Sequence, residues 1–111
     1  MSQKTDRYTY RITWSEGDRE FVGLCVEFPS LSWLAKTQEA ALNGIRRTVR
    51  KAIQDMEAHG EPPPAPFSGK PYSGKFVVRI PPEVHRALAL KAAEEGISLN
   101  RLVSAKLTRP Y

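Results

Sequence analysis

The stretch Gly74-Lys75-Phe76-Val77-Val78-Arg79-Ile80-Pro81-Pro82 reads as one short strand stopped by two prolines. What the strand pairs with decides how the rest of the chain is read. A lone strand leaves a row of backbone donors and acceptors unpaired, and an isolated strand or hairpin is marginal in water. Nothing after residue 82 alternates like a second strand. Within the stretch, Phe76, Val78 and Ile80 point to one face, and Lys75, Val77 and Arg79 to the other. Antiparallel pairing with the same strand of a second copy satisfies the backbone and merges two small cores. The expected partner is therefore another molecule of this chain, with Phe76, Val78 and Ile80 as the dimer core.

Downstream, Pro82 suits the first turn of a helix that runs to Gly96, a residue fitted to the left-handed position that ends helices. Ser98 then caps a second helix with apolar positions Leu99, Leu102, Val103 and Leu107. The pattern is strand, helix, helix. Upstream lies "HGEPPPAPFSGKPYSG", residues 59–74, with five prolines and three glycines, a linker by composition.

The region before the linker begins with Tyr8, Tyr10, Ile12 and Trp14 alternating with polar residues, the period of a half-buried strand. "SEGD", residues 15–18, supplies a turn. "FVGLCVEF", residues 21–28, is apolar on both faces and reads as a central strand ended by Pro29, and "LSWLAK", residues 31–36, as a third. Thr37 caps a helix whose apolar positions Leu42, Ile45, Val49, Ile53 and Met56 recur at three- and four-residue steps until Gly60. The expected fold class is α+β, a three-stranded antiparallel sheet with a covering helix.

The chain has 111 residues and a formal net charge of +5. Residues 75–111 hold seven basic and three acidic side chains, so +4 of the surplus sits in the last third. Such a surplus in a small module is the footprint of a nucleic-acid contact. The single cysteine, Cys25, excludes an intramolecular disulfide and a cysteine zinc cluster, and its apolar surroundings make it a small buried hydrophobe rather than a reactive thiol. No apolar run approaches the roughly 20 residues of a spanning helix, and no signal peptide is evident, so a cytoplasmic protein without membrane contact is expected.

A two-stranded ribbon has the dimensions to enter the DNA major groove, with Lys75 and Arg79 of each chain aimed at base edges. The helix start at Ser98, Leu99 and Asn100 offers backbone donors and a positive dipole end to a phosphate. "KFVVRIPPEVHRALALKAAEEGISLNRLVSAKL", residues 75–107, resembles the ribbon-helix-helix transcription factors. Members of that family read bases with alternate strand side chains, which maps the role onto Lys75, Val77 and Arg79. Val77 stands where a polar residue is common in the family and offers an apolar contact to a thymine methyl.

The first region resembles the HicB antitoxin family through Gly23 to Ala40, with its Gly-Leu-x-x-Glu-Phe-Pro-Ser-Leu segment followed by a helix opening in Thr and Glu-Ala. The resemblance implies a degenerate, partial RNase H-like domain joined to a dimeric ribbon-helix-helix module. It further implies an antitoxin that blocks a small HicA-type mRNA-degrading toxin and represses its own operon by binding operator DNA. The divisions are residues 1–58 for toxin neutralisation, 59–74 as linker, and 75–111 for DNA binding and dimerisation. A homodimer is expected, with a dimer of dimers left open, and no cofactor is expected. The toxin surface lies within residues 1–58, at no assigned position. A stand-alone repressor whose first domain senses a ligand or a protein is the alternative.

A nuclease reading arises because an RNase H-like domain is a nuclease fold and Asp18, Glu20 and Glu27 are at hand. Two-metal hydrolysis needs several carboxylates converging on cations ~4 Å apart. Asp18 and Glu20 fall at a turn, leaving Glu27 as the one acid inside a strand, so no enzyme is expected. His59 and His85 have no companion at ligand spacing, so no metal is expected. Arg46, Arg47, Arg50 and Lys51 form a second basic patch, read as a solvated helix face. Trp33 is expected in the core.

Overall fold

The computed structural model describes residues 3–109, and the chain divides after Tyr72 into two compact units. The first contains α1 (Gln3–Arg7), β1 (Tyr10–Ser15), β2 (Glu20–Cys25), β3 (Ser32–Ala35), α2 (Gln38–Ala58) and a single 3-10 turn at Phe67–Gly69. The second contains α3 (Pro82–Glu95) and α4 (Leu99–Leu107).

The sheet is an antiparallel meander in the order β1-β2-β3. Its register sets Tyr10 opposite Cys25, Trp14 opposite Phe21, and Phe21 opposite Ala35. With side chains alternating between faces, Cys25, Gly23 and Phe21 share the face that α2 covers. Tyr8, Cys25, Ile45, Val49 and Ile53 form the core, with Tyr10, Phe28, Leu31 and Leu42 packed around it. Ile45 and Val49 are wholly inaccessible, and burying side chains of this size contributes roughly 1.5–3 kcal/mol each. The opposite face carries exposed Arg11, Thr13, Ser32 and Leu34, with Val22 and Leu24 half-buried between them.

Thr37 caps α2 as expected, its side chain accepting the Ala40 amide at 3.1 Å. Three expectations are corrected. The second strand ends at Cys25 rather than Phe28: Phe28 N donates to the Cys25 carbonyl and Leu31 N to the Phe28 carbonyl, two successive turns that carry the chain through Pro29. Glu27 therefore sits in the turn after β2, while Glu20 is the residue that opens the strand. Trp33 is 41% exposed rather than core. Its ring lies against Gly44 so closely that a Cβ there would stand 1.9 Å from Trp33 Cδ1. Helix α1 and the 3-10 turn are too short to show a period in the sequence.

The proline-rich stretch is tied to the first unit over much of its length. The Tyr8 hydroxyl donates to the Pro64 carbonyl at 2.7 Å, the Phe67 amide to Glu27 Oε2 at 3.0 Å, and the Ser68 hydroxyl to the Arg7 carbonyl at 2.8 Å. Four prolines between residues 62 and 66 hold the backbone extended and lower the entropy lost on docking.

In the second unit Gly96 ends α3 at φ 70°, the left-handed conformation its missing Cβ allows. Ser98 caps α4, its hydroxyl accepting the Arg101 amide at 3.0 Å. Residues 75–80 form neither helix nor strand, and among the described residues no strand pairs with them. Ala92 and Leu102 are the buried hydrophobic residues of this unit among those described.

Candidate nucleic-acid and dimer interface

Two buried side chains make no core for a unit of this size, and the missing apolar area is on its surface. Phe76 is 75% exposed, Val78 60% and Ile80 42%. These three line one open groove together with Leu88, Leu99, Val103 and Leu107, so alternate residues of the stretch do share a side. Of the opposite set, Val77 is 92% exposed and Arg79 is exposed, and neither borders the groove. Lys75 departs from the alternation, since it lines the groove at its mouth beside Gly74, whose φ of 86° turns the chain there.

Asn100 also borders the groove, next to Leu99. Ser98 spends its hydroxyl on the Arg101 amide. The first-turn amides of α4 have no partner one turn back, by helix geometry, and carry the positive end of the helix dipole. The structure thus brings Phe76, Val78, Ile80, Leu99 and Asn100 to one groove, and leaves Val77 and Arg79 off it.

The carboxylates of the first unit serve other ends. Asp18 accepts from the Ser15 hydroxyl at 2.7 Å, in the turn of the first hairpin. Glu20 pairs with Lys36 at 3.4 Å. Glu27, 8% exposed, accepts from the Thr9 amide at 2.9 Å, the Phe67 amide at 3.0 Å, the Thr9 hydroxyl at 3.2 Å and the Cys25 thiol at 3.5 Å. Burial alone would raise its pKa, but the amides of Phe67, Thr9 and Glu27 itself, with the Cys25 thiol, outweigh burial and hold it below the ordinary value. Burial pushes the Cys25 thiol up, which keeps it neutral and unreactive. Among the described residues, no group of three or more His, Cys, Asp and Glu is placed to hold a metal ion. His59 Nδ1 lies 2.7 Å from the Asp55 carbonyl one helical turn back, and His85 lines the groove.

The basic face of α2 is partly engaged. Arg46 pairs with Asp6 of α1 and sits over the Tyr10 ring, and the Arg47 guanidinium lies 5.4 Å from the Trp33 ring centroid. Sequence reasoning passed over Thr9, Phe67 and Ser68, which bind Glu27 and the backbone of α1. Their only signal is polar or aromatic character in segments without periodicity. Among the described residues, no helix is long and apolar enough to cross a membrane.

No curated protein and no solved structure matches the chain significantly. A family model does, over residues 52–107, just over half the chain. The match covers the end of α2, the proline-rich stretch and nearly all of the second unit, and lies outside the Gly23 to Ala40 segment that carried the resemblance. This chain belongs to the HicB family, the antitoxins of toxin–antitoxin systems.

Proposed function

We propose that this antitoxin neutralises a HicA-type mRNA-degrading toxin through its first unit, a partial RNase H-like domain. Through its second unit, a ribbon-helix-helix dimer, it represses its own operon. One observation carries the reading of the second unit: Phe76, Val78 and Ile80 lie exposed along one groove on a stretch without a strand partner. Pairing that stretch with its copy closes both grooves and satisfies the backbone at once. Lys75, Val77 and Arg79 then form the base-reading row. The α4 start at Ser98, Leu99 and Asn100 meets phosphate, with Asn100 at the groove edge. The first unit supports a binding role because its three candidate carboxylates are separately committed to a turn, an ion pair and a buried hydrogen-bond cluster.

The test is to co-produce the toxin with the full chain, with residues 1–72, or with residues 73–111, and follow mRNA survival and operator retardation. Residues 1–72 should preserve mRNA, and only a chain containing residues 73–111 should retard the operator. Rescue of mRNA by residues 73–111 alone would overturn the division, and operator binding without toxin binding by the full chain would favour a stand-alone repressor.

A further inference from the structure

We propose that residues 61–69 form a strap, latched to the first unit by the Glu27 carboxylate, which reduces the flexible tether between the two units to Lys70–Gly74. The latch joins positions forty residues apart: Glu27 Oε2 accepts the Phe67 amide at 3.0 Å, while Oε1 accepts the Thr9 amide at 2.9 Å. A nearly buried carboxylate that gathers donors from two separate segments is costly to remove, because each amide left behind loses its acceptor. On either side of the latch, the Tyr8 hydroxyl holds the Pro64 carbonyl and the Ser68 hydroxyl holds the Arg7 carbonyl. At the near end the Glu61 amide donates to the Met56 carbonyl at 2.8 Å, continuing α2 into the strap. Tyr8 is itself fixed in the core, 5% exposed and edge-on to Phe28 at 5.5 Å. Just beyond the latch, the Lys70 ammonium stands 4.4 Å from the Phe67 ring centroid. From Pro71 to Arg79 every residue is exposed.

The consequence is one of reach. Residues 61–69 are nine of the sixteen in the 59–74 segment, and holding them on the first unit leaves five, Lys70–Gly74, to set how far the tether extends. An open latch adds residues 61–69 to the tether; a closed one keeps them on the first unit. The proline run supplies no amide between residues 62 and 64, and Phe67 follows Pro66, so few donors are available to the carboxylate from this segment. Glu27 is thus a positioning residue for the tether. The strap rests on the first unit's own hydrogen bonds, whatever either unit binds.

The experiment is amide exchange and 15N heteronuclear NOE on the full chain, its Glu27→Gln variant and its Phe67→Pro variant. In the parent, Phe67, Ser68 and Gly69 should show NOE values like those of β2, and Tyr72 and Gly74 lower ones. Glu27→Gln should speed exchange at Phe67 and Ser68 at least tenfold and drop the NOE of residues 65–69 to tether values, with Val22 unchanged. Phe67→Pro deletes the donor while keeping Glu27 and the core, and the extended backbone of Pro66, at ψ 137°, accommodates a following proline. It should release Ser68 and Gly69 in the same way, and it decides the matter if Glu27→Gln fails to fold. Tether-like NOE values at residues 65–69 in the parent, or parent-like values there in folded Phe67→Pro, would overturn the strap.

Discussion

Gly23 of β2 lies so close beneath α2 that a Cβ built on it would stand 2.5 Å from the carbonyl oxygen of Ala41 and 2.9 Å from Ile45 Cγ2. The contact is with helix backbone, which cannot swing aside as a side-chain tip can. Gly23→Ala should therefore push α2 off the sheet and cost about 1–3 kcal/mol, the range for overpacking a tight core. A urea titration followed by the fluorescence of Trp14 and Trp33 checks it, with a lower midpoint expected. An unchanged midpoint would show that the helix can shift freely.

The proposed dimer is tested at Val78, 60% exposed in the single chain and expected to be covered by the second copy. Val78→Asp places two unpaired charges at the ribbon's centre. Sedimentation equilibrium should then show a monomer whose sheet signals in residues 10–35 are unaltered. A dimer of unchanged mass would remove the ribbon as its seam.

Arg79 should read bases, since it is exposed and stands off the groove. Arg79→Ala loses a bidentate contact worth about 1–3 kcal/mol of discrimination per half-site. Asn100→Asp, which sets a negative charge at the start of α4 where phosphate is proposed to bind, should weaken operator and scrambled duplexes alike. Titrations of both duplexes at one salt concentration separate the two, because affinities at different salt are not comparable. A full operator-to-scrambled ratio in dimeric Arg79→Ala would leave the strand with dimerisation alone.

Acid should loosen the first unit through Glu27. Its pKa is held below the ordinary 4.5 in the folded state, so the unfolded chain takes up this proton first. The stability it contributes is complete above the ordinary carboxylate range and is lost as pH falls through the lowered value. The titratable neighbours Tyr8 and Cys25 have raised pKa values and stay neutral there. Urea midpoints of the parent and Glu27→Gln should differ most near pH 6 and converge toward pH 3. A constant gap across that range would assign the effect to shape, not charge.

The local sequence carried the elements whose signal lies within a few residues. The Thr37 cap, the Gly96 stop and the Ser98 restart could be read directly, because capping is chemistry between neighbours three residues apart. The meander and its covering helix followed from periods of two and 3.6, and Ile45, Val49 and Ile53 are buried on the expected face. The row of Phe76, Val78 and Ile80 was legible for the same reason. What the sequence could not rank was packing among residues far apart. Trp33 was expected inside because a tryptophan is large and apolar. It lies half outside because α2 approaches the sheet at Gly44, leaving its ring to cover the helix with Arg47 above it. Glu27 was counted as a strand acid, since an apolar run carries no mark of where its backbone turns. Tertiary structure alone decided that its carboxylate would face inward and hold Phe67, because that bond needs the turn after β2 and a proline-stiffened segment forty residues later to meet at one point.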